Sequence, residues 1–312
     1  MEAIKPNPIV EFNDNQLVNV RKQLNYGDVN KLKQDIDQLE DWIKKQNHFR
    51  LKCFDRDFLE RYIIYNKGSI ERAKKRFDNL CTYNSLMPEF LRNFDIRNEF
   101  GLVHKLFDTC VLPKPTSDNY RVLITKITGE EDSNYDHTYY IRYLIVLGEY
   151  MLYNDYCVGY ELLIDTRKIT LSIMAKLNPI ILHKAMTLLI EALGQRIKKI
   201  HLISGSKFLD MVLMLSKQIM SAKLYQRIVI HPNVESLYDH IPREQLPEDY
   251  GGDEKSVKEL KDLNFKEMCS DSHIATVKFM EQASTDESLR LSCKFNEEYS
   301  GMPGSFKTLC VD

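Results

Sequence analysis

Leu17, Val20 and Leu24 recur at helical spacing, and so do Leu32, Ile36, Leu39 and Ile43. Each set forms one apolar stripe between residues 15 and 46. The turn-forming run Asn25-Tyr26-Gly27-Asp28 separates them. Phe58, Leu59, Tyr62 and Ile63 mark a third helix over 55–65; Ile70, Ala73, Phe77 and Leu80 mark a fourth after Lys67-Gly68-Ser69. Ser69 is placed to cap it, and Glu71 suits the positive end of its dipole. Residues 14–95 are therefore expected to form a helical domain. Residues 1–13, with two prolines and no period, are expected to be a flexible arm.

The pattern then shifts from helical to short apolar runs. Residues 121–127 (RVLITKI), 159–165 (GYELLID), 199–203 (KIHLI) and 226–231 (QRIVIH) have the length and β-branched content of strands. Helical stretches at about 138–153, 178–193 and 206–224 separate them. This alternation predicts an α/β layer structure with a largely buried sheet. Asn178 followed by Pro179 is a strong helix start. Beyond residue 254 the chain is polar and broken, with short helical patterns near 257–263 and 275–281.

Composition agrees. The 312 residues hold 12 Gly and 10 Pro, 22 in all, against roughly 37 at average usage, which favours long helices. That length suits one large or two modest domains. A net charge of −2 excludes binding to nucleic acid or membrane through bulk charge, so any anion affinity must be local. No run of 18 apolar residues could span a bilayer, and residues 1–8 lack the apolar core of a signal peptide. The 7 cysteines are scattered without a CxxC pair, as expected of reduced thiols in a cytoplasmic protein.

Enzyme chemistry leaves no local mark. No pair of the 8 histidines lies within five residues, so zinc spacings are absent. Phosphate-binding glycine loops and nucleophile elbows are missing too. No catalytic residue, metal site or cofactor is expected. His201 and His231 fall in strand patterns and are read as hydrogen-bonded core residues. Three helices are more apolar than one buried face requires, among them 206–220 with Met211, Met214 and Met220. Core packing explains this most simply; the sharper reading is a wall around a greasy ligand, since methionine repacks readily. Arg196, Lys198, Lys223 and Arg227 fall near one sheet end if strand 199–203 and the next strand are neighbours.

The run 197–203 (IKKIHLI), the helix after it, the strand RIVIH (227–231) and the closing LPEDYGGD (246–253) resemble the CRAL-TRIO lipid-binding family. Residues 159–165 and 120–127 are similar to two further strands of that family, and 55–62 with 69–74 to its N-terminal bundle. The final GSFKTLCVD resembles tails in the family's insect branch. The resemblance covers roughly residues 14 to 312 and implies a CRAL-TRIO lobe over 96–253, with a tail, 254–312, packed on the lobes.

It also implies a function. A mixed, mostly parallel sheet would floor a lipid pocket closed by a gate helix over 206–220. Pocket positions carried across are Ile141, Leu144, Gly148, Tyr160, Leu162, Ile164, Leu188, Leu189, Ile200, Phe208, Leu209, Val212 and Leu213. In a tocopherol-carrying member, basic residues at the pocket mouth grip a phosphoinositide head group. Their counterparts are Arg196, Lys198, Lys223 and Arg227, with Tyr225 replacing a further lysine. Leu144 and Gly148 stand where that member has small hydroxyl residues, leaving Tyr160 as the candidate polar handle. The implied partners are one hydrophobic small molecule (tocopherol-, retinoid-, carotenoid- or other isoprenoid-like) and, transiently, a phosphoinositide membrane surface. The alternative is a phospholipid-sensing module in signalling or trafficking.

Overall fold

A computed structural model describes residues 3–205 and 208–290. The start of the expected gate helix at Ser206 and the C-terminal GSFKTLCVD lie outside the described residues. Helices α1 (Gln16–Gln23), α2 (Val29–Lys45), α3 (Arg56–Tyr65), α4 (Ile70–Leu86), α5 (Pro88–Leu91) and α6 (Gly101–Leu106) come first. The α2 stripe Leu32, Ile36, Leu39 and Ile43 is buried as its spacing predicts. Asp55 caps α3 and Ser69 caps α4, each accepting hydrogen bonds from the first turn.

Strands β1 (Phe107–Val111) and β2 (Tyr120–Ile127) follow, then α7 (His137–Asn154), β3 (Gly159–Asp165), α8 (Leu171–Lys176) and α9 (Pro179–Thr187). A π-helical turn, Leu188–Ala192, extends α9, and β4 (Ile197–Ile203) comes next. The chain continues through α10 (Leu209–Ile219), α11 (Ala222–Tyr225), β5 (Ile228–His231), α12 (Val257–Met268) and α13 (Asp271–Met280). The sheet order is β1-β2-β3-β4-β5; β1 is antiparallel and the other pairings are parallel. Sequential parallel neighbours joined by right-handed crossovers put every crossover helix on one face. That face carries the cavity described below. The reverse face packs Val122, Ile124, Leu163 and Ile203 against Leu237, Ile241, Leu246, Tyr250 and α12.

Three expectations are revised. β1 was not anticipated. The expected 206–224 helix is two pieces, because Met220 is extended and Ser221 caps α11 by accepting from Leu224 N. Parts of the expected arm pack on the fold: Asn7 Nδ2 donates to the Tyr150 hydroxyl at 2.9 Å. Ile9 and Val10 are buried, Glu11 N donates to Pro113 O at 2.8 Å, and Arg121 Nη2 donates to Glu11 O at 3.0 Å. Arg121 also binds both carboxylate oxygens of Asp155, at 2.8 and 2.9 Å, with both side chains fully buried.

The closing LPEDYGGD is a folding device. Gly251 ends a 3-10 turn in the left-handed region (φ 71°), and a Cβ at Gly252 would collide with Leu246 O. The turn drives Tyr250 into the reverse-face core, where its hydroxyl donates to Asp165 Oδ2 at 3.3 Å. His201 and His231 are paired there, Nδ1 to Nε2, at 3.0 Å, and His201 Nε2 meets Glu161 at 3.2 Å.

One buried group makes a pH-dependent prediction. Burial, with the nearby Glu281 charge, pushes the Glu149 carboxyl up to about 8, and its Oε2 has no partner among the described residues. The folded chain then keeps a proton that the unfolded chain loses above pH ~4.5. Its contribution to stability therefore falls as pH rises from ~4.5 to ~8. Glu149→Gln should be more stable than the parent chain by on the order of 4 kcal/mol at pH 8 and equal to it near pH 4.5. Denaturant melts at the two pH values check this; a variant with no gain at pH 8 refutes it.

Candidate functional site

A cavity of about 270 Å³ lies between the crossover helices and the sheet. Its floor is Leu123, Thr125 and Ile127 of β2 and Tyr160, Leu162 and Ile164 of β3. Alternation puts these on one face while Val122, Ile124 and Leu163 turn to the other. One wall is α7, through His137, Tyr140, Leu144, Leu147, Gly148 and Met151. That helical stripe runs fourteen residues, or ~21 Å. The floor from Tyr160 to Thr166 gives ~20 Å independently. The cavity is thus a slender channel, near the lower end of the roughly 300–1,000 Å³ usual for small-molecule sites.

The roof is α9 and α10. Leu182 and Met186 face inward from α9, and Val212, Leu215, Ser216 and Ile219 from α10. None of the residues of α10 is fully buried, and it packs mainly on α9. Its outer side exposes Met211 and Met214, the latter 69% exposed. A helix with one apolar face on a cavity and exposed methionines on the other has few buried contacts to hold it.

Of the anticipated pocket positions, Leu144, Gly148, Tyr160, Leu162, Ile164, Leu189 and Val212 meet at the cavity. Ile141, Leu188 and Ile200 are buried beside it in the core. Phe208, Leu209 and Leu213 are half-exposed and lie off the wall. α10 is turned so that its 212/215/216/219 stripe faces inward, which leaves 209 and 213 on its flank. The Tyr160 hydroxyl is bonded to Tyr65 at 2.9 Å and is already occupied as a polar handle.

A second cleft, of about 180 Å³, borders the first. Arg196, Lys223 and Arg227 line it, together with Lys67, Arg72 and Arg76 from the helical region. The latter three escape sequence reasoning because more than a hundred residues separate them from Arg196. A signal was present in Lys67-Gly68. Lys67 N donates to Ile64 O and Gly68 N to Ile63 O, the paired bonds that close a helix, with Lys67 left-handed (φ 60°). Glycine usually takes that position, and a lysine there costs about 1 kcal/mol. Burial, then the charges of Arg196, Arg72, Lys223 and Arg227, pull the Lys67 ammonium below its ordinary range. Six cations thus crowd one cleft, of which Arg76 is paired with Glu191 at 3.4 Å. Lys198 stands apart, held by Asp118 at 2.8 Å and Glu161 at 3.4 Å over the Tyr120 ring. Gln195 and Ile197 line both spaces, so the apolar channel and the basic cleft share part of a wall.

Among the described residues, no group of His, Cys, Asp or Glu is placed to hold a metal, and no helix is long and apolar enough to cross a membrane. The five described cysteines are free thiols.

A model of the CRAL/TRIO domain matches residues 108–252, and one described as Pinta-like, UBA domain, matches 28–100. The chain therefore carries a CRAL/TRIO domain over residues 108–252. It is similar to the alpha-tocopherol transfer protein-like protein of Mus musculus, 25% identical over 221 residues, and to that of Homo sapiens, 24% identical over the same length. Each match covers 70% of this chain and 64% of the relative. The crystal structure of Sfh5 is a further likeness at 12% identity and TM-score 0.47, covering 75% of this chain and 91% of that one.

Proposed function

We infer that the protein carries one hydrophobic small molecule in the channel and exchanges it at phosphoinositide-containing membranes by displacement of α10. The apolar channel beneath a half-exposed helix is the observation that carries this reading. Tocopherol, named in the relatives, and retinoid-, carotenoid- or other isoprenoid-like molecules share the required greasy, elongated form. The role is binding, without turnover of the guest. In water, the apolar guest and the closed roof stabilise each other. At a membrane, a head group in the basic cleft and lipid against Met211 and Met214 favour the open state. Only such differential binding can shift the balance between closed and open.

Solvent extraction and native mass spectrometry of protein purified from its own tissue should recover one dominant apolar molecule. Leu144→Trp fills the middle of the channel and should cut loading at least tenfold, at a stability cost of about 1–3 kcal/mol. Normal loading of that variant would refute the channel as the site. Vesicle-to-vesicle transfer distinguishes a carrier from a sensing module, which binds its lipid without moving it.

A further inference from the structure

Seven residues lining the channel carry polar side chains, and five of them spend their hydroxyls inside the protein. Thr125 and Tyr140 bond each other at 2.8 Å, and Tyr160 bonds Tyr65. Thr166 donates to Ile203 O and Ser216 to Val212 O. The other two are His137 and Gln195, and they lie at opposite ends.

His137 is 7% exposed, and its ring is held against Phe107, Tyr135 and Tyr140. Nδ1 is engaged by the Tyr135 hydroxyl at 3.1 Å. Nε2 has no hydrogen-bond partner among the described residues, and the ring lines the channel. Burial pulls the imidazole down to about 4, so it is neutral at pH 7 and offers one donor or acceptor. Gln195 sits at the other end, its amide against Gly148, where a Cβ would collide with it. That amide has no protein partner among the described residues and borders both channel and cleft. From His137 to Gly148 is eleven residues of one helix, or ~16 Å.

We propose that the channel selects a slender apolar molecule polar at both ends, one end hydrogen-bonded to His137 and the other to Gln195. This rests on the channel being the ligand site, and it narrows the guest from greasy to doubly ended. An extended chain covers ~16 Å in about thirteen bonds, so a straight chain of about fourteen carbons with a hydroxyl on each terminal carbon is the simplest probe. An unpaired buried polar group is costly, so a site with a partner at each end discriminates for both groups.

Delipidated full-length protein is titrated with that diol, the monoalcohol and the alkane of equal length, and a diol of about eight carbons. The long diol should bind about tenfold more tightly than the monoalcohol, and the short diol, unable to span both ends, should lose that gain. His137→Phe and Gln195→Leu should each lower the ratio of diol to alkane affinity about tenfold. The comparison of chain lengths needs no variant, so misfolding cannot blur it. Equal or weaker binding of the long diol than of the monoalcohol overturns the proposal while leaving the channel as a ligand site. If folded protein binds none of the chains, both fall.

Discussion

Phosphoinositide vesicles should stop recruiting the protein when Lys67, Arg72, Lys223 and Arg227 are reversed to glutamate together. All four line the basic cleft, and none is held by an ion pair of the kind that fixes Lys198. A cation near an anionic membrane contributes about 1 kcal/mol, so losing four weakens association by on the order of a thousandfold, before the added repulsion. Because the channel wall is untouched, ligand affinity in solution should hold while membrane transfer collapses. Lys198→Gln should change vesicle binding less than about threefold, since Asp118 and Glu161 already take up that charge. Co-sedimentation and a transfer assay report both results. Transfer at the parental rate by the quadruple variant would remove the cleft from the mechanism.

Asp155→Ala should destabilise the chain by about 3–5 kcal/mol and lower the melting temperature by on the order of 10 °C. The variant leaves Arg121 charged and fully buried, without its carboxylate. Arg121 also donates to the carbonyls of Glu11, Leu112 and Pro113, and Asp155 accepts from Tyr156 N at 2.8 Å. One buried pair therefore ties the arm, the β1–β2 connection and the end of α7 together. Limited proteolysis should cut the variant earlier near residues 9–13 than the parent. A melting temperature within 2–3 °C of the parent's, roughly the shift for 1 kcal/mol, would show that the pair is not the tie.

Much of the fold was legible because its periodicities are strong. The α2 stripe, the capping residues Ser69 and Asn178, and the runs that became β2 to β5 all express local rules. β1 was not legible, since Phe107-Asp-Thr-Cys-Val111 becomes a strand only by pairing with β2. The break at Met220-Ser221 was hidden by apolar residues that would also suit one continuous helix. At the site, floor residues 160, 162 and 164 were legible through the family resemblance, which carried them across. Phe107, Ile169, Ile173 and Leu177 also line the channel but look like any core residue in sequence. A void is a property of packing, and an apolar side chain does not record whether another atom fills the space beside it.

Because every crossover in this sheet lies on one side, the protein has a foundation and a superstructure. The reverse face, with Tyr250 wedged into its core, has no stake in what the channel holds. Substitutions in α9 and α10 can retune guest and membrane without unsettling that base. Drift in cargo should therefore be fast above the sheet and slow beneath it, and a chimera exchanging only residues 179–219 should trade ligand preference while keeping its thermal stability.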